Sequence, residues 1–121
     1  MEENIENKTD NLLEGTIWER NNNNNIVLYY STDYNIYFIE FSTKTTGNLI
    51  KDLKNRNIDI PFNYHYENFI IEIYTNDGKV NITMKSHLFN KNDNILSMDI
   101  TYKTNDDREK TFTDISYKKV M

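Results

Sequence analysis

The chain has 121 residues, a formal net charge of −5 and no cysteine. This length suits one domain with its own hydrophobic core. The absence of cysteine excludes disulfides, thiolate zinc sites and cysteine nucleophiles. The acidic balance, without a basic cluster, argues against a nucleic-acid partner, and no apolar run approaches the roughly 20 residues that a membrane-spanning helix needs.

The first eleven residues are polar and acidic and show no apolar periodicity. They are predicted to form a disordered leader or tether, followed by a single domain over 12–121. No apolar run typical of a secretory signal is present. Two alternatives stay open: a cytoplasmic protein, or a processed exported form whose membrane tether, a lipid anchor, is absent from this sequence.

Three strands are predicted next, over 15–20, 26–31 and 36–42. Trp18, the only tryptophan, lies on the first strand and is expected to anchor the core, because its ring buries a large apolar area. The second and third strands are apolar on both faces. Such a surface must be covered by another element or serve as a contact surface.

A short helix is predicted near 48–55, where Asn48 suits an N-cap and Leu49, Ile50 and Leu53 share one side at helical spacing. Two helical turns are weak alone, so this helix needs docking as a connector, a plug or a lid. With the two-sided strands it predicts an interaction surface made of Val27, Tyr29, Ile36, Phe38, Leu49 and Leu53.

Strict alternation of apolar and polar residues dominates positions 62–102, as expected for half-buried antiparallel strands. The Asn-Asp-Gly sequence at 76–78 is typical of a hairpin turn. A shift of inward parity near Asn68 leaves two alternatives, namely two strands over 62–67 and 69–75 or one long strand that is kinked by a bulge there.

The last strand, over 111–120, has Phe112 out of phase with Ile115 and Tyr117, which predicts a second bulge. The strands together predict an all-β fold. It is an antiparallel up-and-down meander of about eight strands that closes into a small barrel, with one short helix.

Few residues suggest chemistry. His65 and His87 lie on polar strand faces, and His65 with Glu67 offers two metal ligands without an identifiable third. Glu40 has apolar neighbours, and an apolar surrounding raises the pKa of a carboxyl group. There is no nucleophile elbow and no glycine-rich phosphate loop. The sequence therefore predicts a protein that is not an enzyme, with neither a metal nor a cofactor.

Tyrosine is the residue type with ligand-binding character, because it joins an apolar ring to a hydroxyl that seeks a partner when buried. A small barrel is either filled by its side chains or holds one small ligand. If a ligand is held, the predicted contacts are Trp18 at the base and the tyrosines of the inferred interior face: Tyr30, Tyr37, Tyr64, Tyr66 and Tyr102.

The segment Leu-Leu-Glu-Gly-Thr-Ile-Trp at 12–18, the meander after it, and Phe112 with Tyr-Lys-Lys at 117–119 resemble a small lipocalin-like domain. The chain resembles in particular the lipocalin-like lipoproteins of bacterial cell envelopes. In lipocalins a Gly-x-Trp packs at the barrel base and a basic residue near the last strand covers the tryptophan. Here two residues separate Gly15 from Trp18, and Lys118 or Lys119 would be the basic residue.

The resemblance implies an exported, non-enzymatic binding domain in the periplasm or on the outer surface, for a small apolar or amphiphilic ligand or a protein partner. A second class of function stays open. A small acidic intracellular domain can neutralise a partner protein, as inhibitors and immunity proteins do. Acidic loops such as Asp106-Asp107 would then steer the partner electrostatically.

Overall fold

A computed structural model describes residues 13–21, 37–76, 78, 80–89 and 94–121. These residues form a closed barrel of eight antiparallel strands, in which strands consecutive in sequence are neighbours and the first pairs with the last. In chain order the strands are β1 (Thr16–Arg20), β2 (Phe38–Phe41), β3 (Thr46–Ile50), β4 (Ile60–Glu67), β5 (Ile70–Asn76), β6 (Val80–Ser86), β7 (Ile95–Thr104) and β8 (Glu109–Lys119). The predicted all-β up-and-down barrel is confirmed.

The alternation seen in the sequence separates the interior of the barrel from its outer wall. On β6, Ile82 and Met84 are buried, whereas Asn81, Thr83 and Lys85 are exposed. The following inward side chains of β2, β5, β6, β7 and β8 have 0 % exposed surface: Ile39, Phe41, Ile71, Ile73, Ile82, Met98, Ile100, Tyr102 and Tyr117. These side chains leave no water-sized gap beside them, so the space between them is filled.

The predicted helix near 48–55 is wrong, because Asn48, Leu49 and Ile50 belong to β3. An isolated two-turn helix is weak, whereas this segment gains a ladder with β2 on one side and with β4 on the other. Leu49 and Ile50 are adjacent and both buried, because both faces of the sheet are covered at this end of β3. Two adjacent apolar residues imitated the apolar spacing of a helix. The helical structure that follows is one 3₁₀ turn at Arg56–Ile58.

Of the two alternatives near Asn68, the two separate strands are confirmed and the single kinked strand is wrong. β4 and β5 are two strands joined by a tight hairpin, in which Glu67 pairs with Ile70. The two turn residues, Asn68 and Phe69, have φ of 56° and 67°. Positive φ at both positions is the geometry of a type I′ turn, the two-residue loop whose twist matches that of the strands.

The predicted bulge in the last strand is confirmed. Met98 pairs with Ile115 but Ile100 pairs with Phe112, so β8 has one residue more than β7 between these pairs. The bulge contains Asp114, whose φ is 57°. A bulge changes the direction of the side chains beside it, and here it returns Ile115 to the interior.

The barrel is closed by a short ladder between β1 and β8. Its Cα pairs are Trp18 with Lys119, Glu19 with Lys118, and Arg20 with Tyr117. Further backbone bonds continue the ladder at both ends, among them those from the Ile17 N–H to the Met121 oxygen (3.0 Å) and from the Asn21 N–H to the Ser116 oxygen (2.8 Å). Lys119, one of the two lysines that the resemblance pointed to, is thus directly opposite Trp18.

Two predicted segments lie outside the described residues: the leader over 1–11 and the strand over 26–31. β1 pairs directly with β2, and the barrel closes with β3 as one of its eight strands. The described ranges contain no helix long and apolar enough to cross a membrane.

Candidate functional site

Trp18 is a packed core residue with 1 % of its surface exposed. Its indole N–H donates to Thr16 Oγ1 (2.9 Å), and the Thr16 hydroxyl donates to the Leu13 carbonyl oxygen (2.6 Å). Phe89 packs edge-on against the indole, with 5.6 Å between ring centroids. The polar atom of Trp18 is therefore satisfied by the protein itself.

Three of the predicted tyrosine contacts are also packed within the barrel. Tyr64 is 5 % exposed and its hydroxyl donates to the Thr43 carbonyl oxygen (2.6 Å); burial raises the pKa of Tyr64 to about 12. The half-buried Tyr66 packs edge-on against Phe89. Tyr102 has no exposed surface. Their rings fill the interior, as the filled-core alternative predicts.

An inward-facing cation lies where β1 ends. Arg20 has the parity of Trp18 on β1, and its partner on β8 is the fully buried Tyr117. Its guanidinium carbon lies 4.5 Å from the centroid of the Tyr37 ring, a cation–π distance. Its Nη1 is buried and has no hydrogen-bond partner within the described part of the chain. A guanidinium presents donors in a planar fork that matches carboxylate and phosphate groups, so this side chain is suited to an anion.

The Arg20 end of the barrel, where β1 and β3 end and β2 begins, also carries three of the predicted contact residues. Tyr37 is 38 % exposed, Phe38 is half-buried, and Leu53 is 44 % exposed in the turn after β3. Leu49 points into the core with 2 % exposure. The remaining predicted contacts lie outside the described residues: Val27, Tyr29, Tyr30 and Ile36.

Glu40, on the outer wall, is held by hydrogen bonds. Asn48 Nδ2 (3.0 Å) and Arg56 Nη2 (2.6 Å) both donate to its Oε1, and Arg56 Nε donates to Asp59 (2.5 Å). Burial raises the pKa of Glu40, but the hydrogen bonds from Asn48, Arg56 and Ser42 outweigh it and bring the pKa below its ordinary value. The expected raised pKa is therefore wrong, and this group braces β2 and β3.

The two histidines have different surroundings. His65 Nε2 lies 2.8 Å from one carboxylate, that of Glu67. The ring of His87 lies between two, with Nε2 3.0 Å from Asp99 Oδ1 and Nδ1 3.2 Å from Asp114 Oδ1. The hydrogen bond to Asp99, followed by the charges of Asp99 and Asp114, raises the pKa of His87 against the opposing effect of burial. His87 follows β6, Asp99 is on β7, and Asp114 is in the bulge of β8.

Sequence reasoning missed this cluster and Arg20. Asp99 alternates with apolar residues and therefore looked like an ordinary solvent-facing acid. The available signal was the phase shift after Phe112, because a bulge places an extra side chain on the outer wall. Arg20 shares its face with Trp18, and that parity was the signal for an inward cation.

The acidic loop considered for a protein partner is partly neutralised by its own neighbours. Asp106 accepts hydrogen bonds from the Thr104 hydroxyl and from Arg108 Nε. Those two bonds lower the pKa of Asp106. Its charge is thus engaged within the turn between β7 and β8.

No protein-family model matches this chain, and the searches of curated proteins and of solved structures give no match either. The barrel and the polar groups at its Arg20 end are therefore the features that point to a function.

Proposed function

We propose that this protein is a non-enzymatic, lipocalin-like binding domain of the bacterial cell envelope that takes the acidic group of a small amphiphilic ligand at the Arg20 end. The observation that carries the proposal is the inward, buried Nη1 of Arg20, which has no acceptor within the described residues. The resemblance of the Gly15–Trp18 region and of the meander to envelope lipoproteins supports the location.

The free energy of burial supports an anionic ligand group. A buried donor without an acceptor costs about 1–3 kcal/mol, and a hydrogen bond to a charged group contributes about 1.5–3 kcal/mol. A carboxylate or phosphate that accepts from Arg20 removes the cost of the unpaired donor and adds the free energy of a hydrogen bond between charged groups. The anion therefore gains more at this group than at a guanidinium already exposed to water.

The filled interior limits where the rest of the ligand lies. Side chains such as Tyr102 and Tyr117 leave no water-sized space between them, so an alkyl or aromatic part does not enter the barrel centre. The partly exposed ring of Tyr37 supplies an apolar surface beside Arg20. Phe38 and Leu53 lie at the same end of the barrel, with Phe38 on the outward face that it shares with Glu40. We therefore propose a rim site rather than a deep pocket.

The test is calorimetric titration of the full chain with dodecanoate and with the uncharged dodecanol. We expect dodecanoate to bind more tightly, and Arg20→Gln to weaken it about 10- to 100-fold, the equivalent of 1.5–3 kcal/mol. The matched control is Arg108→Gln, which removes an exposed guanidinium that is paired with Asp106. It should leave the affinity unchanged.

Equal binding of the acid and the alcohol, or an Arg20→Gln variant with parental affinity, would contradict the proposal. Native mass spectrometry of protein from its own source gives a second readout, with a co-purifying small acid as the expected result. Neither binding of the probes nor a co-purifying molecule, together with capture of a basic protein, would favour the partner-neutralising alternative instead.

A further inference from the structure

A second polar site lies on the outer wall at the β8 bulge, independent of the Arg20 end. His87, Asp99 and Asp114 each present one ligand atom, and these three atoms lie within 4.8 Å of one another. His87 immediately follows β6, Asp99 is on β7 and Asp114 is on β8. We propose that these residues form a binding site for a divalent transition-metal cation, with Zn²⁺ as the best fit to one imidazole and two carboxylates.

The arrangement of charges around His87 is the first reason. Both ring nitrogens face a carboxylate oxygen, at 3.0 Å for Asp99 and 3.2 Å for Asp114. A neutral imidazole has a single N–H, so one of these oxygens then faces a nitrogen lone pair. The two carboxylates place two negative charges beside the ring, and a metal cation bound at one ring nitrogen would neutralise them.

The spacing is the second reason. Zn²⁺ binds imidazole nitrogen and carboxylate oxygen at about 2.0–2.2 Å. At such bond lengths, neighbouring ligand atoms are about 3.0 Å apart around an octahedral ion and about 3.4 Å around a tetrahedral one. The 3.0 Å between His87 Nε2 and Asp99 Oδ1 falls in that interval. Asp114 Oδ1 faces the other ring nitrogen, so its carboxylate must turn toward Nε2 to bind the same ion. The His87 side chain is 46 % exposed, so its ring has room to turn one nitrogen toward an ion.

The surroundings of the two carboxylates are the third reason. The Asp114 N–H donates to Asp99 Oδ1 (3.0 Å), and the Ser97 hydroxyl donates to Asp114 Oδ1 (3.3 Å). Partners of this kind fix the direction of metal-binding carboxylates. The mixed nitrogen and oxygen set favours a transition metal over Mg²⁺ or Ca²⁺, which prefer oxygen ligands alone.

The chain contains its own control. It has two histidines, and His65 is paired with a single carboxylate, that of Glu67. Zn²⁺ is titrated into the ¹⁵N-labelled full chain while the imidazole resonances are followed by NMR. We expect the His87 resonances to shift at micromolar Zn²⁺ and those of His65 to stay in place, with no response of either to Mg²⁺ at the same concentration.

Asp99→Asn and Asp114→Asn separate metal binding from folding. Asn keeps an oxygen that accepts the Asp114 N–H, and it tolerates the positive φ of position 114. Each variant should bind Zn²⁺ at least about tenfold more weakly, since loss of even an outer partner costs 10- to 100-fold. His87→Gln should abolish micromolar binding and His65→Gln should leave it unchanged, while the backbone amide spectrum checks the fold of every variant.

The proposal is overturned if both histidines shift together only at millimolar Zn²⁺, which indicates adventitious binding. It is also overturned if the two Asn variants, or His87→Gln where an Asn variant does not fold, bind Zn²⁺ as tightly as the parent. A His87 resonance that never responds to Zn²⁺ would leave the cluster as an ion pair and likewise refute the metal site.

Discussion

Gly47 is the position where the smallest side-chain addition should damage the barrel most. It lies on β3 between Phe41 of β2 and Phe62 of β4. A Cβ at this position would lie 2.1 Å from the Glu40 carbonyl oxygen and 2.4 Å from Phe62 Cζ. Carbon atoms pack best at about 3.5–4.0 Å, so the ring must move by about 1.1 Å or more. The carbonyl oxygen belongs to the neighbouring strand and has no rotamer to relieve the overlap.

The expected loss for Gly47→Ala is about 2–3 kcal/mol. Overpacking a core costs about 1–3 kcal/mol, and a disturbed ladder bond adds about 1 kcal/mol. Replacing Gly by Ala recovers about 0.4–1 kcal/mol by restricting the unfolded chain. The melting temperature should fall by about 10 °C for a domain of this size. Urea unfolding followed by Trp18 fluorescence measures the free energy.

Gly15→Ala is the matched control, because nothing lies within 4 Å of an added Cβ there and the φ of 83° is the strained feature. It should cost about 1 kcal/mol from backbone strain alone. Adding Phe62→Leu to Gly47→Ala should lose less stability than the two single changes summed, because the leucine removes the ring from the overlap. A steric overlap at Gly47 is refuted if Gly47→Ala costs no more than Gly15→Ala, or if the losses from Gly47→Ala and Phe62→Leu simply add.

Phe69→Gly should stabilise the protein by about 0.5–1 kcal/mol, since an L-residue at φ 67° is strained by about 1–2 kcal/mol and Gly has an entropic cost of about 0.5–1 kcal/mol; a lower urea midpoint would contradict this. Thr16→Val should cost about 1–3 kcal/mol in urea unfolding, because the buried indole N–H of Trp18 loses its acceptor, and an unchanged midpoint would show that the bond contributes nothing. Glu40→Gln should cost at most about 1 kcal/mol at pH 7, since Arg56 is 41 % exposed. Because folding lowers the pKa of Glu40, its contribution to the free energy of unfolding is complete above its ordinary pKa of 4.5 and is lost as the pH falls below that value. The difference in stability between Glu40→Gln and the parent should therefore vanish at low pH.

The barrel was predictable because alternation is a local signal. The hairpin between β5 and β6 was marked by its Asn-Asp-Gly turn, where Asn76 Oδ1 accepts the N–H of Gly78. The bulge of β8 was marked by the phase of Phe112. These features depend on neighbours in sequence, and the sequence alone therefore shows them.

Two local readings failed for physical reasons. Phe69 is a bulky residue in a left-handed turn position that Gly, Asn or Asp normally occupies, so the turn had no sequence signal. Leu49 and Ile50 are adjacent and both buried, which breaks the two-residue period and imitates a helix. Tertiary pairing with β2 and β4 decided the conformation of that segment.

The cluster of His87, Asp99 and Asp114 could not be predicted from the sequence for a different reason. His87, Asp99 and Asp114 meet only when β6, β7 and β8 adopt one register with one extra residue in β8. A shift of one position would turn each of these side chains to the other face of the sheet. The cluster is therefore a property of the assembled wall.

The short ladder between β1 and β8 is the seam at which the barrel closes. Every other ladder joins strands consecutive in sequence, which can form as successive hairpins, whereas the seam needs the two ends of the domain to meet. Its three Cα pairs compare with eight between β7 and β8. Parting the seam would leave seven ladders intact and expose two sheet edges, whose free N–H and C=O groups fit the same edges of a second copy. If this protein self-associates, we therefore expect two copies to exchange their edge strands.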